Sequence, residues 1–251
     1  MSAILEGQGI VKTFGDFTAL HGVDFRIEPG RTLGIVGESG SGKSTLGRIV
    51  MRLMRPDAGT VRLAGRDLFA LSRTQLRRAR RDFQLVPQDP RNALNPTATV
   101  GESLAFQLSA QGIARREWRG RINDLLQTVS LSADYAHAYP HELSGGQAQR
   151  IAIARAIAGR PKLLVCDEAV SALDKSVQAQ VLNTFAELQS ELGVAMFFIT
   201  HDLAVVEHIA DDLLVLNRGR AVEGGRTADV LSAPSDAYTR ELLAARHPIP
   251  A

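Results

Sequence analysis

The sequence predicts an α/β fold with a mostly parallel central sheet, an antiparallel β section near the N-terminus and a helical insertion in the middle of the chain. Three observations carry this. Short, nearly all-apolar runs recur through the chain, as expected of strands buried on both faces. Stretches with helical spacing separate them, the alternation that gives parallel sheets. The first residues and 60–63 instead alternate apolar with polar, as antiparallel strands with one wet face do.

In chain order, the stretch to about Ile27 and 60–63 reads as antiparallel strands. Thr32-Leu33-Gly34-Ile35-Val36 is the first buried strand, and 44–54 the helix after it. Phe83–Val86 is a further strand. From about 95 to 159 there is no strong strand signal; 100–111 and 115–129 carry helical spacing, and 145–158 reads as a longer helix. Leu163-Leu164-Val165-Cys166, Val194-Ala195-Met196-Phe197-Phe198-Ile199 and Leu213-Leu214-Val215-Leu216 are three more buried strands, the last stopped by Asn217-Arg218-Gly219. A helix is expected over 176–192. The tail from Arg226 onward is expected to be helical, ending in His247-Pro248-Ile249-Pro250. The economical reading is one domain over 1–251, with a helical subdomain at about 95–159 and a short C-terminal extension at about 226–251.

At 251 residues, 45% hydrophobic and 22% charged, the composition excludes disordered and collagen-like chains. A net charge of +2 gives no reason to expect a nucleic-acid coat. The one strongly basic stretch, Arg73, Arg77, Arg78, Arg80 and Arg81, reads first as a solvated helix face, with lipid headgroups or acidic residues of a partner as alternatives and nucleic acid the weakest. Cys166 is the only cysteine, which leaves no disulfide framework, zinc cluster or iron–sulfur cluster to expect. Met1–Leu5 lacks a basic leader and runs into polar Glu6-Gly7-Gln8, so no export signal is expected. No apolar run approaches the roughly 20 residues that cross a bilayer.

Gly37-Glu38-Ser39-Gly40-Ser41-Gly42-Lys43-Ser44-Thr45 fits the G-x-x-x-x-G-K-[ST] phosphate-binding loop and lies where that loop must, between a buried strand and a helix. Glycines let successive backbone N–H groups converge on phosphate oxygens, and the helix adds its positive end. Lys43 is placed to neutralise β- and γ-phosphates, and the Ser44 hydroxyl to ligate Mg²⁺. A second element, the apolar run 163–166, ends in two carboxylates: Asp167 is placed to hold Mg²⁺, directly or through water. Glu168, facing differently, is placed to polarise an attacking water. A third, Leu143-Ser144-Gly145-Gly146-Gln147, opens a helix and presents a hydroxyl and backbone amides as another anion site. Two such sites far apart in one chain suggest a nucleotide held between two molecules.

On these residues the sequence resembles the ATP-binding subunits of ABC transporters from about Gly9 to Leu243, with Leu143–Gln147 similar to their signature motif. The fold implied is a RecA-like P-loop NTPase core with the antiparallel β subdomain and a helical subdomain carrying the signature. Carried over by the resemblance, Phe14 stacks on adenine, and Gln88 reaches Mg²⁺ and the attacking water. Ser171-Ala172-Leu173-Asp174 resembles the loop that crosses the dimer interface, with Asp174 beside nucleotide, and His201 resembles the histidine that contacts the γ-phosphate. The resemblance implies that two ATP-binding subunits close around two ATP molecules. Each ATP lies between one chain's phosphate loop and the other's Ser144–Gln147 segment, and hydrolysis reopens the pair.

Gln88-Asp89-Pro90-Arg91-Asn92-Ala93-Leu94-Asn95-Pro96 and 233–239 resemble the oligopeptide, dipeptide and nickel importer branch, although Asp236-Ala237 stands where that branch has His-Pro. This implies a peripheral subunit on the cytoplasmic face of the inner membrane. Its partners would be two integral-membrane permease subunits, a second ATP-binding subunit (itself or a paralogue) and an extracytoplasmic substrate-binding protein. The surface toward the permeases is expected near Gln88 and the helical insertion, up to about Leu108. Peptides lead as cargo, with nickel or its chelates, opines and glutathione-like compounds open. The alternative is an ABC-type ATPase subunit of a soluble complex, like that of phosphonate breakdown, with no transport role.

Overall fold

The structure is a computed structural model that describes residues 3–245. In chain order the elements are β1 (Leu5–Phe14), β2 (Phe17–Ile27), β3 (Thr32–Val36), α1 (Lys43–Val50), β4 (Ala58–Leu63), β5 (Arg66–Asp67), α2 (Arg73–Ala79), β6 (Phe83–Val86), α3 (Val100–Ala110) and α4 (Trp118–Thr128). After two short 3₁₀ turns come α5 (Gly145–Ile157), β7 (Leu163–Asp167), α6 (Lys175–Leu192), β8 (Ala195–Ile199), α7 (Leu203–Ile209), β9 (Asp212–Asn217), β10 (Arg220–Arg226), α8 (Thr227–Ser232) and α9 (Ala237–Ala244).

Two sheets form. The antiparallel one runs β2-β1-β4-β5, and the six-stranded one β10-β9-β3-β8-β7-β6, parallel except for the β9–β10 hairpin. The central sheet is buried on both faces, and its side chains divide with the period of two that a strand dictates. Leu163 and Val165 of β7 join the apolar cluster under α1 and the antiparallel sheet, while Leu164 and Cys166 join the cluster with α5 and α6. Phe197 and Phe198 of β8 split the same way, and burying each contributes about 1.5–3 kcal/mol. A third cluster holds Val36, Val206, Val215 and Val230, with Leu242 and Leu243 of α9 against it.

The expected helix over 44–54 ends at Val50. Arg52 adopts φ 51, and the N–H groups of Leu53 and Met54 return to Arg48 O, closing the last turn before Pro56. Strand β10 was not expected: it is charged and glycine-containing, and its pairing comes from β9 through a tight turn with Arg218 and Gly219 both at positive φ. Between β6 and β7 all described elements are helical. The expected tail at 247–250 lies outside the described residues.

Candidate nucleotide site

The parallel strands β3, β8, β7 and β6 lie side by side, so their C-terminal ends form one edge, the place where open α/β sheets bind ligands. The phosphate loop leaves β3, His201 follows β8, Asp167 ends β7 with Glu168 just beyond it, and Gln88 follows β6. Sheet order therefore assembles four segments that are far apart in the chain.

Helix α1 starts without a side-chain cap. Gly42, at φ 103, has no side chain to offer, and Leu46 N is the first amide to pair in the helix, on Gly42 O at 2.9 Å. By contrast α3, α5, α6 and α7 begin with Thr99, Ser144, Asp174 and Asp202, each accepting from a first-turn N–H. The open α1 terminus is an anion site by construction. Its glycines are also fixed by packing: a Cβ on Gly37 would lie 2.1 Å from Leu216 O, and one on Gly42 2.8 Å from Ala19 O.

Lys43 is buried, with its ammonium 2.7 Å from both Gly37 O and Glu38 O and 3.4 Å from Ser41 Oγ. Burial pushes its pKa down, against the upward pull of Glu168, Asp167 and Glu38. Burial pushes the Asp167 carboxyl up, and the Glu168 charge adds to this. Glu168 sits at φ 48, a left-handed conformation costly for a side chain of its size, and it is over-determined by its neighbours. Its N–H donates to Ile199 O at 2.9 Å, and its carbonyl accepts from Ser171 Oγ at 3.0 Å. Its carboxylate accepts from Gln88 Nε2 at 3.1 Å, and His201 Nδ1 stands 3.7 Å from the other oxygen.

A cleft of about 280 Å³ joins Phe14, Phe17 and Ala19 to Ser39, Gly40, Gly42, Lys43, Ser44, Thr45 and Glu168. Phe14 and Phe17 are 45% and 63% exposed, so neither is a core residue, and both rings are free to meet a planar base. Lys12 Nζ lies 5.5 Å from the Phe14 centroid. Gly37, Glu38 and Ser41 form the back of the loop rather than the cleft wall.

Ser144, Gly145, Gly146, Gln147 and Asp174 are not in that cleft. Ser144 and Gln147 form a capping box: Ser144 Oγ accepts from Gln147 N at 3.2 Å, and Gln147 Oε1 accepts from Ser144 N at 2.8 Å. The Ser144 oxygen thus helps to start α5 as an acceptor, and its O–H is left to donate to an anion. Asp174 caps α6, accepting from Val177 N at 2.9 Å and Ser176 Oγ at 2.7 Å, and these donors hold its carboxyl below the usual range.

Sequence reasoning assigned no role to three residues that tie the Gln88 segment to α5. Arg91 Nη2 donates to Leu143 O at 3.0 Å, Gln149 Nε2 to Pro87 O at 3.4 Å, and Arg155 to Ala93 O. Arg91 lies within the extended Gln88–Pro96 run, which was the available signal; Gln149 and Arg155 offered none.

The comparisons with known proteins agree with this geometry. The ABC transporter family profile matches residues 20–171. The Di/tripeptide transport ATP-binding protein DppF of Pseudomonas aeruginosa is 44% identical over 247 residues, covering 97% of this chain and 76% of its own length. The Oligopeptide transport ATP-binding protein OppF of Salmonella typhimurium is 46% identical over 234 residues, covering 92% and 70%. Among solved structures, cbiO1 of Clostridium perfringens, part of the ABC transporter complex cbiONQ, superposes with a TM-score of 0.85 at 28% identity over 93% of this chain and 92% of that one. The ADP conformation of MJ1267, an ATP-binding cassette of an ABC transporter, gives 0.81 at 27% identity over 97% and 99%. With the open α1 terminus, the buried Lys43 and the paired Gln88 and Glu168 on one sheet edge, this chain belongs to the ATP-binding subunits of the ABC transporter family.

Proposed function

We propose that this chain hydrolyses ATP to power an importer of di- or oligopeptides, working at the cytoplasmic face of the membrane beneath two permease subunits fed by an extracytoplasmic binding protein. The names of its relatives support peptide cargo. Among the described residues, no helix is long and apolar enough to cross a membrane, so passage through the bilayer is assigned to other chains.

The observation that carries the reading is the separation of two half-sites. The cleft beside Lys43 holds the loop, the two phenylalanines and Glu168, but none of Ser144–Gln147. Two chains, identical or paralogous, complete each site, with one partner's α5 terminus over the other's phosphate loop. The Ser144 hydroxyl, whose O–H remains free to donate while its oxygen accepts from Gln147 N, and the Gly145 and Gly146 amides are the α5 groups we assign to the phosphate.

Asp167, Ser44 and Gln88 fit Mg²⁺. Among the described residues no three His, Cys, Asp or Glu side chains cluster as a protein-only metal cage, and a hard cation that keeps waters and phosphate oxygens needs only one or two such ligands. A cation there also relieves the unfavourable ionisation of buried Asp167. When bound, Mg²⁺ supplies charge neutralisation on the phosphates. Lys43 and the α1 amides hold the β- and γ-phosphates, Glu168 takes the proton of the attacking water, Gln88 orients that carboxylate, and His201 holds the γ-phosphate. The 95–159 segment is assigned as the helical subdomain that carries the signature.

A groove of about 710 Å³ lined by Leu53, Gln84, Leu85, Ala98, Phe106 and Gln107 is the proposed seat of a permease helix. Leu53 and Phe106 are 63% and 77% exposed there.

ATPase rate against protein concentration tests the dimer. Specific activity should rise with concentration and saturate in the assembled transporter. Dilute, monomeric chain hydrolysing ATP as fast as the complex would overturn the reading.

A further inference from the structure

We infer that Tyr238, on the C-terminal extension, is a positioning residue for the phosphate loop: its hydroxyl accepts the Glu38 N–H and fixes the turn whose carbonyls hold Lys43. The inference rests on the nucleotide-binding reading of that loop.

The bond, Glu38 N to Tyr238 Oη at 2.9 Å, joins residues 200 positions apart. It lands on the stretch of the loop whose two carbonyls hold the lysine. The Glu38 carbonyl and its neighbour Gly37 O both accept from Lys43 Nζ at 2.7 Å, so Glu38 is gripped by the lysine on its C=O and by Tyr238 on its N–H. Tyr238 is not a wall of the nucleotide cleft. It lines a separate cleft behind the loop, with Glu38, Asn217, Arg218 and Glu241. It therefore acts through the loop and touches no phosphate.

Tyr238 is itself held on several sides. Asp236 Oδ1 accepts the Tyr238 N–H at 2.8 Å and caps α9. Glu223 of β10 accepts from Ser235 N at 2.7 Å, Ser235 Oγ at 2.8 Å and Asp236 N at 3.3 Å. Tyr238, Leu242 and Leu243 pack on the cluster containing Val36, the last residue before the loop. Burial pushes the phenol pKa up and the Glu38 and Glu241 charges add to this, outweighing the downward pull of the Glu38 N–H, so the hydroxyl stays protonated at neutral pH. A hydrogen bond set on a rigid helix and strand end constrains the loop before nucleotide arrives, and such preorganisation appears as affinity.

The test is Tyr238→Phe in the full chain, which keeps the ring and removes only the oxygen. ATP affinity, read with a fluorescent ATP analogue and ATP competition, should weaken by about three- to tenfold, the worth of one hydrogen bond. Amide exchange should accelerate across 37–42 while 32–36, measured in the same sample, stays protected; this internal reference holds even if the variant is less stable overall. Unchanged affinity and exchange in Y238F would overturn the inference, as would exchange rising equally in both segments. Wild-type chain that binds no ATP would instead sink the nucleotide-binding reading, a distinct outcome.

Discussion

The Gln88 side-chain amide donates to Glu168 Oε2 at 3.1 Å, joining two residues 80 positions apart that follow neighbouring strands β6 and β7. Ser171 Oγ lies 3.5 Å from the same Gln88 nitrogen, so the carboxylate proposed as base is oriented from one side by a neutral amide.

Glu168→Gln should therefore retain ATP binding within about twofold while turnover falls by at least about a hundredfold, the usual worth of a general base. Gln88→Ala should cost less, about tenfold, because the base remains and only its orientation is lost. Steady-state ATPase and nucleotide titration of the assembled complex check both. Unimpaired hydrolysis by E168Q would remove Glu168 from the mechanism.

Asp167 sets function against stability. Its folded pKa is raised above the ordinary 3.8, first by burial and then by Glu168. The native state thus binds the proton more tightly than the unfolded chain, and stability declines as pH rises from the ordinary value through the raised one. At neutral pH the ionised carboxylate is a cost. Asp167→Asn should raise the Tm of nucleotide-free protein at pH 7, narrow that gain toward acid pH, and abolish Mg²⁺-dependent hydrolysis. A lower Tm for D167N at neutral pH would contradict this.

What could be read in advance follows from how local each signal was. Strands β3, β7, β8 and β9 are short apolar runs buried on both faces, and the phosphate loop is a contiguous string, so a linear reading reaches them. Helix α1 was read too long because Arg52 takes its left-handed φ without the glycine that usually marks such an end. Strand β10 carries Gly224, Gly225 and three charges, and exists because β9 offers an edge across a two-residue turn. Within the site, the residue types were visible. The Gln88–Glu168 bond and the Arg91–Leu143 bond depend on sheet order, which no local window contains. Ser144 shows what a motif leaves unsaid: its oxygen also closes the capping box that starts α5, a local role additional to any anion contact.

Gly146 is a packing residue as much as a motif letter. A Cβ there would lie 2.3 Å from Val177 Cγ1, at the contact between α5 and α6. Gly146→Ala should destabilise the fold by about 1–3 kcal/mol through overpacking. Adding Val177→Ala should recover part of that loss, since it removes the atom in the way. Denaturant midpoints of the two single variants and the double give the coupling. Strict additivity would mean that the Val177 contact is not the cause.

Glu223 anchors the C-terminal extension, and its titration gives that anchor a pH signature. Burial pushes the carboxyl up, but the groups around it win: the neighbouring Thr239 hydroxyl, then the Ser235 N–H and hydroxyl and the Asp236 N–H. The result is a pKa lowered from 4.5 to about 2. A carboxylate with a depressed folded pKa contributes stability that is complete above the ordinary value and is lost as pH falls through the folded one. Wild type should therefore exceed Glu223→Gln in Tm at neutral pH, with the difference closing between about 4.5 and about 2. Amide protection over 235–242 should close over the same window, because the same donors hold the start of α9. A Tm difference that persists unchanged at the acid end would mean that Glu223 acts through its shape rather than its charge.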